Sequence, residues 1–233
     1  LEPATAEECY TFYREAARLA RSRRMPVILR LTTHTCHQKE RVQFGAWDQA
    51  PPDDTPRFDP AAGPFIPITT EVFPLKRRAL HKLAEVEGWA GTAAINRVEP
   101  GDCRRGVITA GVPYLSLQEA LLGAAEKPGV LKLGTVYPLP RRLVSEFLRA
   151  HDEVKVLEEL DDIIEKDVKA LAYEEGLRAR IIGKADAEER MGEHTPERVL
   201  GILARTWPGS VRPAAARPAV APPVPGRPAQ MCP

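Results

Sequence analysis

The chain has 233 residues, enough for one large domain or one and a half small ones. Lys plus Arg number 33 and Asp plus Glu 32, so the formal charge is +1, which removes the bulk electrostatic pull of a nucleic-acid or anionic-lipid binder. Mean hydropathy is −0.29, and no apolar run approaches the ~18 residues of a membrane helix.

The opening Leu1-Glu2-Pro3-Ala4 has neither the charged nor the apolar region of a secretory signal. It does not start on Met, so we expect an internal piece of a longer gene product. Cys9, Cys36, Cys103 and Cys232 are scattered without a C-x-x-C, the pattern of unpaired thiols in a reducing cytoplasm.

A helix is predicted first. Thr5-Ala6-Glu7-Glu8 reads as a capping box, with Tyr10, Tyr13, Ala17 and Ala20 at helical spacing and Arg14, Arg18 and Arg21 on a solvated face. Pro26 ends it, and Val27 to Thr33 reads as a continuous apolar strand. One helix and one strand cannot cover each other, so residues 1–50 look like the end of a domain. Proline then divides the chain: seven fall between Pro51 and Pro74, and eight in the last 27 residues. Proline removes a donor and fixes φ, so residues 51–73 are expected as an irregular connection and 207–233 as an extended linker.

Residues 74–206 are more regular. Leu75, Ala79, Leu83 and Val86 mark a helix. Four apolar strands are expected near Val107, Val130, Val154 and Arg180, at spacings of 23, 24 and 26 residues. The helices between them carry Leu117, Leu121 and Ala124, then Leu143, Phe147 and Leu148, then Ile164, Val168 and Leu171. Thr195, Pro196 and Glu197 open a last helix. This alternation predicts an α/β fold, a three-layer α/β/α sandwich on a mostly parallel sheet.

The candidate chemistry is sparse. Gly106 to Gly111 is a strand running into a turn, but without G-x-G-x-x-G or G-K-[ST] it reads as a tight strand-to-helix turn made by Gly111 and Pro113 rather than a phosphate cradle. His34, Cys36 and His37 cluster after the first predicted strand. Zinc needs about four ligands and no second pair is suitably spaced, so no metal site is assigned and His37 is taken as an inter-domain or strand-end residue. His81, His151 and His194 are isolated on predicted helix or loop surfaces, outside any H-E-x-x-H, and surface or packing roles are expected for them. The acidic run Glu158 to Glu165 follows a strand's carboxyl end, where α/β sheets gather ligands. Its first expectation is structural, with Asp161 and Asp162 capping a helix. No nucleophile and base are brought together by spacing, so no catalytic or cofactor-binding residue is assigned.

Several segments in order resemble the α subunit of the indolepyruvate:ferredoxin oxidoreductase family, among the thiamine-diphosphate-dependent 2-oxoacid oxidoreductases. They are Pro26 to Thr33 with His37; Pro74 to His81; Gly106 to Gly111; Lys132-Leu133-Gly134 leading to Tyr137-Pro138-Leu139-Pro140; Val156 to Asp161 with Glu165; Gly183-Lys184; Gly192-Glu193; and Cys232-Pro233. His34 and Cys36 depart from the family's usual Arg and Ser, and Trp47 to Thr70 does not match.

The resemblance implies that residues 1–50 end a thiamine pyrimidine-binding domain. Residues 74–206 would form a transketolase C-terminal-like domain, with five strands of which one, near Ala94–Val98, is antiparallel. It implies a parent enzyme that decarboxylates an aryl pyruvate oxidatively to an acyl-CoA on thiamine diphosphate and Mg²⁺, passing electrons through iron–sulfur clusters to ferredoxin, with a β subunit as partner. The residues that hold those groups would lie outside this chain, leaving it a scaffold with no cofactor of its own. His37, His81, Glu158 and Glu159 are the residues singled out as inter-domain or strand-end candidates. Two alternatives stand beside this one: an independent α/β interaction module, and a flavodoxin-like small-nucleotide binder.

Overall fold

The structure is a computed structural model that describes residues 1–45, 59–124 and 126–211. Cys232-Pro233, most of the prolines of the tail, and Trp47 with the first part of the Pro-rich connection lie outside the described residues.

Helix α1 spans Ala6–Arg23 and α2 spans Thr33–His37. Helix α3 (Val72–Ala90) leads to β1 (Arg97–Glu99) and β2 (Arg105–Ala110). Then α4 (Pro113–Ala120), β3 (Gly129–Leu133), α5 (Arg141–Ala150) and β4 (Glu153–Leu157) alternate. The last elements are α6 (Ile163–Glu174), β5 (Arg180–Ile182) and α7 (Pro196–Thr206). The four expected parallel strands all form. The antiparallel one is β1, paired with β3 through Arg97–Lys132 and Glu99–Val130.

The five strands lie in the order β1-β3-β2-β4-β5, with every pair except β1–β3 parallel. Both faces are covered, which is why the central strands read as apolar runs rather than alternating ones. On one face Ile108, Leu131, Val154 and Val156 meet Val144, Phe147 and Leu148 of α5 and Ile164, Val168 and Leu171 of α6. On the other, Val107, Val130 and Leu157 meet Leu117 of α4 and Val199, Ile202 and Leu203 of α7. Trp207 and Val211, expected in the tail, are buried in this second layer, and the Trp207 indole donates to Glu153 Oε2 at 2.8 Å. Their burial carries the packed chain to Val211, four residues past the expected start of the linker at 207.

The amino-terminal region differs from expectation. Val27 to Leu31 form no strand, because no neighbouring strand is offered to them among the described residues. They run beside the first residues instead: the Leu1 ammonium donates to Ile28 O at 2.7 Å, and Arg30 N to Leu1 O at 2.9 Å. Ile28 and Leu31 stay exposed. The buried stripe of α1 is Glu8, Phe12, Ala16 and Leu19, not the Tyr10–Tyr13–Ala17–Ala20 face; Tyr13 is 65% exposed. The stripe was misread because it starts on a glutamate, and the reason that glutamate is inside appears only in three dimensions. Half of the capping box forms: Glu8 N donates to Thr5 Oγ1 at 3.0 Å, while the Glu8 carboxylate takes Ala4 N rather than closing back on Thr5.

Helix α3 starts at Val72, inside the stretch expected as connection, and only Val86 and Ala90 of its residues are buried. Leu75 and Leu83 are half-buried and Ala79 is exposed.

Candidate functional site

The parallel strands place a crevice by topology. The β2 crossover runs through α4 to β3 on one side, and the β4 crossover through α6 to β5 on the other. Neighbouring strands whose connections leave in opposite directions open a gap at their carboxyl ends, where α/β folds bind ligands. Here that gap is a cleft of about 310 Å³ lined by Ala110 of β2, the loop Glu158 to Asp161, and Glu2 and Arg30 from the amino-terminal region.

The helix start beside the cleft, that of α6, is supplied with the chain's own carboxylate. At α6, Glu158 Oε2 accepts Ile164 N and Oε1 accepts Glu165 N, each at 2.8 Å. A carboxylate there satisfies orphan N–H groups and complements the helix dipole. The expected capping by Asp161 and Asp162 is therefore not observed: Asp162 occupies the cap position without a side-chain cap bond and pairs with Arg190 at 2.6 Å, which holds its carboxyl well below the ordinary range. The glutamate four residues earlier reaches the same N–H groups because the intervening loop turns sharply at Leu160 (φ 58°). At α4, Pro113 fills the first position as expected, and Gly111 has φ +59°, a conformation side chains rarely adopt. A Cβ on Gly111 would lie 2.7 Å from Glu2 Oε1. Glu2 is held there by Arg30 at 2.6 Å and by its own N–H on Gly134 O at 2.9 Å.

Behind the loop lies a buried set of polar groups. Burial pushes the Glu158 carboxyl up against the two N–H bonds that favour its charge. Burial also raises Glu159, whose Oε1 accepts His194 N at 2.9 Å. Lys184 donates Nζ to Glu158 O at 2.6 Å and N to Glu165 Oε2 at 2.9 Å; burial lowers its ammonium, opposed by Glu158 and Glu165.

His194, for which a surface or packing role is expected, is 2% exposed, and its Nδ1 has no hydrogen-bond partner. Burial, with Arg198 and Lys184 adding repulsion, lowers it to about 4. His151 is likewise half-buried, packed on Phe147 with ring centroids 4.2 Å apart.

His194 makes stability depend on pH in a defined direction. Its folded value lies below the unfolded 6.5, so the unfolded chain takes up the proton first as pH falls, and the fold loses stability between those values. The loss reaches about 2 kcal/mol by pH 5. His194→Leu should remove that component: the stability difference between wild type and variant, from urea titrations at neutral pH and at pH 5, should shift by that amount in favour of the variant. An unchanged difference would show that the imidazole titrates normally in the fold.

Of the residues singled out from sequence, Glu158 and Glu159 line the cleft and His37 and His81 do not. His37 is exposed on α2, whose Thr32 hydroxyl caps Thr35 N at 3.3 Å; His34 and Cys36 are exposed beside it. His81 is exposed on α3 with Nε2 3.5 Å from Glu85. The residues that sequence reasoning missed are Glu2 and Arg30, which reach the cleft from remote chain positions, and His194. A further signal was present but unread. Lys132 and Lys155 each interrupt an apolar strand run, and both are fully buried against carboxylates.

The residues present do not fit a diphosphate. It would have to displace Glu158 from the α6 start and would meet Glu2, Glu159 and Asp161 besides, all of like charge. Nor, among the described residues, is there a group of three or more His, Cys, Asp or Glu side chains placed to hold a metal ion. Cys9, Cys36 and Cys103 are free thiols. No described helix is long and apolar enough to cross a membrane.

Comparison with known proteins shows a homology. Residues 97–198, from β1 into α7, match the indolepyruvate oxidoreductase domain family. The chain is 34% identical over 188 residues to the indolepyruvate oxidoreductase subunit IorA of Methanothermobacter marburgensis, an alignment covering 80% of this chain and 30% of that subunit. Against the IorA subunit of Methanothermobacter thermautotrophicus it is 32% identical over 235 residues, covering 100% of this chain and 37% of the relative. The chain is a homologue of the IorA subunits of indolepyruvate oxidoreductase. It spans about a third of the length of these IorA relatives. Among solved structures, the 2-oxoglutarate:ferredoxin oxidoreductase from Magnetococcus marinus aligns with 64% of this chain and 24% of its own, at 17% identity and a TM-score of 0.42, a likeness too slight to add to the homology with IorA.

Proposed function

We propose that this chain is a structural and subunit-contact module of an indolepyruvate-type 2-oxoacid:ferredoxin oxidoreductase, with the chemistry carried by other parts of the assembly. The observation that carries this reading is the self-capped cleft. The place where this topology would receive a ligand has its helix start occupied by Glu158 and its other side lined by Glu2. Homology to IorA subunits over most of the chain supports the parent reaction, oxidative decarboxylation of an aryl pyruvate to an acyl-CoA. Thiamine diphosphate, Mg²⁺ and iron–sulfur clusters, a β subunit, ferredoxin and coenzyme A then belong to that parent, in the cytoplasm.

In this reading residues 1–50 end a pyrimidine-binding domain and 51–73 connect it onward. Residues 74–206 are the transketolase C-terminal-like domain, and 207–233 are the linker. Glu158 and Glu159 shape the strand ends, and the exposed His37 and His81 serve contacts with neighbouring domains. A small error in the placement of catalytic parts costs orders of magnitude in rate, so a module that only positions its neighbours has a catalytic consequence.

Calorimetric titration of the chain with thiamine diphosphate and MgCl₂ tests the proposal. We expect no saturable heat up to about 1 mM ligand, and a micromolar dissociation constant would overturn it. The same titration with FMN addresses the nucleotide-binding alternative, which the acidic lining of the cleft disfavours; saturable binding there would revive it.

A further inference from the structure

On a different part of the molecule, the exposed half of α3 and the segment that leaves α1 form a groove of about 520 Å³. Its floor is apolar, built from Met25, Pro26, Leu75 and Leu83 with Pro64 and Phe65 at one end. Arg24, Arg78 and Lys82 stand on its lining, and no carboxylate does. Lys82 Nζ donates to Arg24 O at 2.7 Å, which ties the two walls together.

Charge and apolar exposure set this groove apart from an ordinary solvated surface. Residues 72–83 contain Lys76, Arg77, Arg78, His81 and Lys82 and no acidic residue, in a chain whose overall formal charge is only +1. Among the described residues, Arg24, Lys76, Arg77 and Arg78 have no acidic partner, whereas on α5 Arg141, Arg142 and Arg149 each pair with a glutamate. Large apolar side chains in α3 and in the segment leading into it are also exposed: Ile66, Ile68, Phe73 and Leu80 are each more than half exposed. Exposed apolar surface rimmed by polar groups marks an interaction site.

We infer that this groove docks an acidic segment of a partner polypeptide, one that sets apolar side chains on the floor and carboxylates against Arg24, Arg78 and Lys82. The commitment to an acidic polypeptide follows from charge complementarity. Opposite charge on the rim steers encounter and fixes register, and apolar anchors on the floor supply affinity. The inference rests on the contact-module reading above and names its surface. Peptide binding and thiamine diphosphate binding are separate measurements, so either can fail while the other stands.

The probe is a fluorescein-labelled peptide of about 14 residues with Glu on one helical face and Leu on the other, titrated into the full chain beside its Lys-for-Glu counterpart. We expect the acidic peptide to bind at least about tenfold more tightly than the basic one, and to weaken about tenfold between ~50 and ~300 mM salt. Arg78→Glu should weaken it by a further factor of about ten, and Leu75→Ser should weaken both peptides. Both substitutions lie on exposed or half-buried positions, and an unchanged melting temperature verifies that each variant folds.

Equal affinity for the two peptides, or binding indifferent to Arg78→Glu, overturns the inference. So does a dimer of the chain that sediments as monomer after Arg78→Glu, since the occupant is then a second copy. Tighter binding of phosphatidylglycerol vesicles than of the peptide through the same residues also overturns it.

Discussion

Replacing Glu8 by alanine should destabilise the fold by about 3–5 kcal/mol, the cost of leaving a buried ammonium without its counter-ion. Lys132 sits within β3 with its side chain 0% exposed, and Glu8 Oε2 lies 2.5 Å from its Nζ. The Phe12 ring, 4.7 Å from the same nitrogen, covers it. Glu8 also accepts Ala4 N at 2.8 Å and pairs with Arg97 at 3.0 Å, so one carboxylate ties the start of α1, β1 and β3 together. Burial lowers the Lys132 ammonium, and Glu8 opposes that shift. Take Glu8 away and only the weaker attraction of Glu2 opposes it.

Urea denaturation followed by circular dichroism reads the loss, with a fall in melting temperature of roughly 10 °C. The double variant Glu8→Leu with Lys132→Met removes both charges and should recover most of the stability, because a well-packed apolar pair is a fair substitute for a buried ion pair. A loss under about 1 kcal/mol in Glu8→Ala would mean that water reaches Lys132 and that α1 is not fastened to the sheet as described.

Glu189→Ala should produce the second large effect, at the other side of the sheet. Lys155, 1% exposed in the middle of β4, donates to Gly183 O at 2.6 Å and to Glu189 Oε2 at 3.0 Å. Arg205 of α7 completes the set on Glu189 Oε1 at 2.8 Å. The retained Gly183 carbonyl softens the loss, so about 3 kcal/mol is expected. The pH dependence has a definite sign. Burial works to raise the Glu189 carboxyl, but the bonds from Arg205 and Lys155 outweigh it and hold the group below its usual 4.5. The unfolded chain therefore protonates first as pH falls, and the contribution present above pH 4.5 drains away below it. Glu189→Ala should lose less stability than wild type on going from neutral pH to pH 4. Equal losses would show that the carboxyl is not specially stabilised.

These two pairs show where the sequence stopped being legible. G-V-L-K-L and E-V-K-V-L read as strands because four of their five residues in one case, and three in the other, suit a covered sheet. The lysines inside them carry no mark of what they meet. Their partners are 124 and 34 residues away along the chain, on a helix and on a short turn whose own patterns are unremarkable. Glu8 was assigned to a local cap for the same reason: a capping box is a short-range pattern, and the buried stripe of α1 shows its logic only once Lys132 is opposite it.

The strand spacing, the helix faces over residues 113–172, the Thr195–Pro196 helix start and the strand-to-helix turn at Gly111 were all present in the amino-acid order. Each depends on interactions within a few residues: hydrophobic period, proline geometry and caps. The order of strands, and with it the position of the cleft at the ends of β2 and β4, was not there to be read, since periodicity says nothing about which strand lies beside which. The identity of the α6 cap likewise waited on the fold, because a left-handed turn at Leu160 had to aim Glu158 at N–H groups six and seven residues ahead. Val27 to Leu31 make the converse point. Their composition suits a strand, but a strand is a pairing, and only the assembled backbone decides whether a neighbour is there to supply the hydrogen bonds.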